Sequence, residues 1–212
     1  MLKIWGRRDG SNVIKVMWCV GELGLAHERI DWGGKFGGND DPAYRAMNPM
    51  GRLPTLQQDD GFTLWESGAI VRYLCAQHSR GAMCPEGHRA RAQAEKWMDW
   101  SSLYLAKFNS VYLAQFFQRP AGEHDMQAIE AAVAETRPLY DILDAQLATS
   151  PYLSGDTLTM ADIPAGSLTH RWMQWTPPEL RPSHANVQAW YERLCERSAY
   201  REHVIDATNK RR

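Results

Sequence analysis

The chain has 212 residues, 44% of them hydrophobic and 23% charged, enough for one large domain or two small ones with their own cores. Its 24 basic and 25 acidic residues leave a net charge of -1, without the basic excess that a general nucleic-acid or anionic-membrane binder carries. The four cysteines, Cys19, Cys75, Cys84 and Cys195, form no CxxC pair and no zinc-spaced set with histidine, so no metal site is expected. A chain of this size needs no disulfides, so reduced thiols and a cytoplasmic location are expected. Neither a signal peptide at Met1–Gly6 nor an apolar run of about 18 residues is recognisable, so no membrane span is expected. Nine tryptophans stand out, roughly three times ordinary usage.

Leu2–Trp5 reads as a short buried strand, and Ser11–Leu25 as a helix with Val13, Val16, Met17, Val20 and Leu23 on one face, ending at Gly24. Glu28–Asp31 is a brief second strand. Gly33, Gly34, Gly37 and Gly38 mark a mobile loop, followed by a loop or a helix. Leu53–Gln57 and Phe62–Trp65 flank an Asp59-Asp60-Gly61 turn, a hairpin signal. Glu66–Gln77 carries Ile70, Tyr73 and Leu74 on one helical face, which completes a β-α-β, β-β-α order. Residues 78–87 read as a linker.

From His88 onward the pattern is helical. His88–Gln118 reads as one long helical stretch rich in aromatics. Asp125–Thr149 repeats Leu139, Leu143 and Leu147, with Pro138 expected to kink it. Thr159 followed by Asp162 makes a capping-box pattern, Ala185–Glu196 gives a last helix, and Lys210–Arg212 a solvated tail. The expected architecture is α/β plus all-α: residues 1–77 as a thioredoxin-like domain with a mixed four-stranded sheet, and 88–212 as a helical bundle.

Four segments then fall into one pattern. These are Asn48-Pro49-Met50-Gly51-Arg52-Leu53-Pro54, Leu64-Trp65-Glu66-Ser67-Gly68-Ala69-Ile70, Tyr152-Leu153-Ser154-Gly155-Asp156 through Asp162, and Trp18-Cys19-Val20-Gly21-Glu22-Leu23-Gly24-Leu25. In this order and at these separations, the chain resembles the cytosolic glutathione transferases, as a bacterial member of theta, nu or beta type. The resemblance covers nearly the whole chain. It implies glutathione as co-substrate, a hydrophobic small-molecule electrophile as second substrate, and a homodimer.

Carried over residue by residue, the resemblance assigns Glu66 to the γ-glutamyl amine of glutathione, and Ser67 with its helix N-terminus to the γ-glutamyl carboxylate. That assignment agrees with the preference of helix N-termini for anions, although a serine there also serves as a plain cap. Leu53 and Pro54 correspond to the family's cis-proline segment, whose backbone pairs with the cysteinyl unit like an added strand. Lys35, with Arg52 second, is the candidate for the glycyl carboxylate. The activating position departs from the family pattern. The usual hydroxyl falls on Gly10, so Ser11 and Asn12 stand as alternatives, and both also fit as helix caps.

No cysteine lies near residues 9–12, which argues against the cysteine-type members, and Cys19 reads as packed rather than reactive. Trp97, Met98, Trp100, Tyr104, Phe108, Trp172 and Trp175 are candidates for an aromatic substrate cleft, although aromatics at helical spacing mostly build cores. Asp99 is a candidate to reach a dimer partner's glutathione. Two further functions remain beside transfer to electrophiles: peroxidase or disulfide-reductase chemistry with glutathione, and a non-catalytic glutathione-binding or scaffold role.

Overall fold

The computed structural model describes residues 1–120 and 122–209; the tail Lys210–Arg212, read above as solvated, lies outside them. The chain forms two compact units, Met1–Glu86 together with the segment from Cys195 onward, and Gly87–Leu194.

The first unit is built on β1 (Leu2–Trp5), β2 (His27–Ile30), β3 (Thr55–Gln57) and β4 (Thr63–Trp65), in the order β2-β1-β3-β4. β1 runs parallel to β2 and antiparallel to β3, and β3 is antiparallel to β4. Period-two alternation buries Leu2 and Ile4 while Lys3 and Trp5 stay half-exposed. The turn between β3 and β4 is the expected one: Gly61 takes φ 88°, its N–H bonds Gln58 O, and Asp60 accepts from Phe62 N–H. Asp41 caps α2 (Pro42–Met47) by accepting from Ala43 and Tyr44 N–H.

α1 (Ser11–Glu22), with Leu23 as its C-cap, stops at Gly24 as its pattern predicts. Gly24 takes φ 61°, Leu25 N–H bonds Val20 O and Gly24 N–H bonds Gly21 O. That is a Schellman stop, which needs glycine at the left-handed position. Every residue of α1 from Val13 to Val20 is buried, more than one helix face. α3 (Ser67–His78) packs on one side, with Cys19 Sγ 3.6 Å from Cys75 Sγ.

The other side is covered by the C-terminal segment: α9 (Ser198–Tyr200), a π turn (Arg201–Ile205) and α10 (Asp206–Asn209). Trp18 meets the Tyr200 ring edge-to-face at 4.7 Å. Glu22 accepts Trp18 Nε1–H at 2.8 Å and a two-pronged bond from Arg197 at 2.8 and 2.6 Å. These contacts place the segment from Cys195 with the first unit, whereas the sequence reading grouped it with the helical domain.

In the second unit the expected long helix is interrupted. α4 (His88–Trp100) and α5 (Ala106–Gln118) are joined by a π turn at Ser101–Leu105. Ser101 and Ser102 hydroxyls donate to the carbonyls of Trp97 and Met98, four residues back, a back-bonding that competes with regular helix geometry. α6 (Met126–Leu147) runs through Pro138 without ending.

α7 (Asp162–Trp175) begins on the predicted capping box. Buried Asp162 accepts from Leu153, Thr159 and Trp190 Nε1 N–H groups at 3.0–3.1 Å. Trp172 stacks on Tyr140 at 4.5 Å and meets Phe108 at 4.9 Å, so these aromatics form core. α8 (Ala185–Cys195) completes the unit. Among the described residues no helix is long and apolar enough to cross a membrane, and no group of three metal-ligating side chains gathers.

Candidate active site

One row of paired residues organises the site. Ile30 of β2 pairs with Trp5 of β1, Trp5 with Thr55 of β3, and Thr55 with Trp65 of β4. The sheet therefore releases four stretches of chain along one edge: the loop to α1, the loop after β2, the approach to β3 through Leu53–Pro54, and the Glu66–Ser67 start of α3. The register sets Leu53–Pro54 against the start of α3.

At that start Ile70 N–H bonds Glu66 O at 2.9 Å. The N–H groups of Ser67, Gly68 and Ala69 have no acceptor among the described residues. Such open donors at a helix N-terminus attract an anion. Ser67 is buried, and its hydroxyl has no partner among the described residues. Glu66 is exposed, does not cap the helix, and takes φ 70°. A left-handed non-glycine residue costs of order 1 kcal/mol or more, and such residues cluster at functional sites.

Leu53–Pro54 is a cis peptide bond, and the Leu53 N–H and C=O have no partner among the described residues. A buried network holds this segment. Tyr44 Oη donates to Arg52 O at 2.7 Å and meets Thr55 Oγ1 at 2.8 Å. Asn48 Nδ2 donates to the same two oxygens at 2.8 and 3.0 Å, while Asn48 Oδ1 accepts Met50 N–H. Gly51 takes φ 61°, and a Cβ there would come within 2.7 Å of Asn39 O, so the turn requires glycine. The sequence motif carried Asn48 and Gly51 but gave no sign of Tyr44. The Arg52 side chain is exposed beside this turn, and only its carbonyl joins the network.

At α1, Gly10 caps without a side chain, and Ile14 N–H bonds its carbonyl at 2.9 Å. Ser11 and Asn12 both sit in the first turn. They differ in what they touch. Asn12 Oδ1 accepts from Lys15 Nζ at 2.9 Å, and Lys15 is only 4% exposed. Asn12 Nδ2 has no partner among the described residues. With the oxygen committed to an ammonium, the amide presents its two donors outward. Lys15 drew no site assignment from the sequence. A lysine inside an apolar face three residues after an asparagine is the signal that could have found it.

Lys35 lies in a 3₁₀ turn (Gly34–Phe36) of the loop after β2. That loop passes close to the cis bond, since a Cβ on Gly33 would lie 2.5 Å from Leu53 Cδ1. Lys35 itself does not join Glu66 and Ser67. It lines a separate cavity with Arg7, Arg8 and Arg29. Cys19 is fully buried, and its contact with Cys75 and its burial hold the thiol protonated, so it is no nucleophile.

Residues 1–76 match the family model "Glutathione S-transferase, N-terminal domain", and residues 126–193 match "Glutathione S-transferase, C-terminal domain". The chain is 40% identical to glutathione S-transferase GstB of Escherichia coli K12 over 210 residues, 97% of this chain and 98% of that one. The chain belongs to the glutathione S-transferase family. A theta-class glutathione S-transferase from Xanthomonas axonopodis pv. citri, solved with glutathione bound, is 44% identical with a TM-score of 0.90, covering 98% of this chain and 99% of that one. Glutathione S-transferase F13 of Arabidopsis thaliana is 28% identical over 94% of this chain and 93% of its own. In this glutathione S-transferase, Gly10 stands where the resemblance places the activating hydroxyl. A Cβ there would meet Val13 Cγ2 at 3.0 Å and Arg7 O at 3.2 Å, so even a small side chain is crowded.

Within the helical unit, Trp97, Met98, Phe108 and Trp172 are buried, Trp100 and Trp175 half-buried, and Tyr104 exposed. Tyr104 and Phe108 line a cavity of about 220 Å³ between α5 and α6. Asp99 is exposed on α4.

Proposed function

We propose that this protein is a glutathione transferase that adds the glutathione thiolate to hydrophobic electrophiles, with Asn12 as the group that stabilises the thiolate. The single observation that carries the choice is the Lys15–Asn12 bond, which leaves the Asn12 amide N–H groups as donors at the N-terminus of α1. A free thiol titrates near 8.5, and a hydrogen bond to the charged form together with a helix N-terminus lowers that value.

Glutathione would lie along the sheet edge. Its γ-glutamyl carboxylate takes the open N–H groups and hydroxyl at Ser67, its amine pairs with Glu66, and its cysteinyl backbone pairs with Leu53 beside Pro54. The glycyl carboxylate falls to Lys35 or Arg52, both cations on the loops flanking Leu53. In the reaction the thiol proton passes to solvent, sulfur forms a bond to the electrophilic carbon, and a leaving group departs with its electron pair. The enzyme contributes orientation and charge stabilisation.

A homodimer fits the exposed apolar side chains Met50, Phe62 and Trp65 of the first unit, and sedimentation tests it. A cytoplasmic location fits four cysteines that form no disulfide.

The testing experiment is a glutathione titration of wild type and of Ser67→Ala and Glu66→Gln, paired with turnover of a generic aryl halide. Each variant should bind about tenfold or more weakly, since each loses a charge-assisted contact. Equal affinities would remove Glu66 and Ser67 from the site. Binding without turnover of an aryl halide or a peroxide would favour the non-catalytic reading. Turnover of a peroxide alone would favour the peroxidase one.

A further inference from the structure

The first unit holds a cavity of about 280 Å³ that none of the glutathione contacts above accounts for, apart from Lys35 at its margin. Four cations reach it: Arg7 and Arg8 from the loop before α1, Arg29 from β2, and Lys35. Two acids, Asp9 and Asp31, share the lining.

The charges do not cancel. Arg29 is committed, donating to Gly6 O at 2.9 Å and to Asp31 at 2.5 Å. Arg7 stands 3.6 Å from Asp9, a looser pairing. Arg8 donates to a backbone carbonyl, that of Glu202, at 3.2 Å. Lys35 pairs with no carboxylate among the described residues and lies 5.0 Å over the ring of Phe36. Arg8 and Lys35 are thus uncompensated beside a weakly paired Arg7. Like charges gathered in one concavity raise the local potential and favour an anion.

The position of the cavity says which anion. Arg7 O accepts the N–H of Gly10, the cap of α1, two residues before Asn12. The Lys35 loop touches Leu53 through Gly33. The cavity is therefore flanked by the start of α1, assigned to the thiol, and by the loop against Leu53, assigned to the cysteinyl backbone. Phe36, 45% exposed, offers a ring face beside the cations, and the volume suits a single ring rather than a large ligand.

Resting on the transferase reading, we propose that this cavity receives the second substrate, and that its preferred class is an aryl electrophile bearing a carboxylate, held by Arg7 and Arg8 with its ring against Phe36. For an aryl chloride, sulfur bonds the chlorinated carbon, chloride leaves with the C–Cl electron pair, and the thiol proton goes to solvent.

Calorimetric titration of the full chain with 3-nitrobenzoate, which lacks a leaving group, tests the site without requiring turnover. It is run with and without saturating glutathione, with the neutral 3-nitrobenzamide as control. The benzoate should bind at least tenfold tighter than the amide and equally well with glutathione present. Arg7→Gln should weaken the benzoate about tenfold, the loss of one charge-assisted contact, while Arg7→Lys keeps most of the affinity. In turnover, 4-chloro-3-nitrobenzoate should be preferred over 4-chloro-3-nitrobenzamide, and Arg7→Gln should erase the preference.

Benzoate binding no tighter than the amide, or unchanged in Arg7→Gln, overturns the anion site while the transferase reading stands on its glutathione titration. Displacement of the benzoate by glutathione also overturns it, because the cavity would then hold a carboxylate of glutathione itself. Failure of glutathione to bind counts against the parent reading alone.

Discussion

Lys15, buried in the first helix, donates its ammonium hydrogen to Asn12 Oδ1 across 2.9 Å. The bond joins a core position to the first turn of α1, where the thiol is proposed to lie. It fixes the asparagine rotamer and decides which end of the amide faces outward. Lys15 does not act on glutathione in this account; it positions Asn12.

Replacing Lys15 with methionine keeps the buried stem and removes the donor. Lys15→Met should lower kcat by about tenfold, the scale of a misdirected stabilising donor, and leave the dissociation constant of glutathione within threefold. A loss confined to binding, or no kinetic change, would show that Lys15 only fills space. Single-turnover kinetics with separate binding titrations distinguish the two.

Glu66 gives a second test, because its backbone and its side chain pull in opposite directions. Its φ of 70° is easy for glycine and costly for glutamate. Glu66→Gly should therefore stabilise the fold by about 1 kcal/mol, a rise in Tm of roughly 2–4 °C for a chain of this size. The same variant should bind glutathione about tenfold more weakly. Thermal unfolding of the unliganded protein reads the first effect and calorimetry the second. A variant less stable than wild type would mean that the carboxylate contributes to folding rather than to a ligand site.

The helical unit carries two buried groups with opposed pH responses. Burial pushes Asp162 up from 3.8 to about 6, against the N–H donors that surround it. Burial, with Arg171 nearby, pushes His170 down from 6.5 to about 4. Asp162 is raised, so its contribution is full below 3.8 and is lost as pH rises through about 6. His170 is lowered, so its contribution is full above 6.5 and is lost as pH falls through about 4. Each shift corresponds to about 3 kcal/mol, so between about pH 4 and 6 the two slopes offset. In His170→Gln the opposing slope is gone, and urea midpoints should fall more steeply as pH rises across that window than in wild type. Parallel profiles would contradict the assignment.

The sequence made the fold legible where the signal was local. The hairpin turn at Gly61, the stop at Gly24 and the capping box at Asp162 each depend on residues a few positions apart, and each occurs as expected. The break at Ser101–Leu105 was hidden, because serines four residues beyond their carbonyl acceptors look like ordinary helix surface. The placement of the last segment was hidden too. Trp18 reads as one more apolar residue until Tyr200 and Arg197, some 180 positions away, come to rest on it and on Glu22. In the candidate site, Glu66, Ser67, Leu53 and Pro54 were visible as motifs. The choice between Ser11 and Asn12 turned on a contact with Lys15 that only the folded helix reveals, and Lys35 separated from the others because its loop carries it to the cluster around Arg7.

The central claim is that the Asn12 amide stabilises the glutathione thiolate. Titration of bound glutathione by thiolate absorbance near 240 nm tests it most directly. Wild type should titrate at least one unit below the free value of about 8.5, Ser11→Ala should stay close to wild type, and Asn12→Ala should return toward the free value with glutathione still bound. A thiol in wild type that titrates like free glutathione, or an unmoved midpoint in Asn12→Ala, would contradict the account.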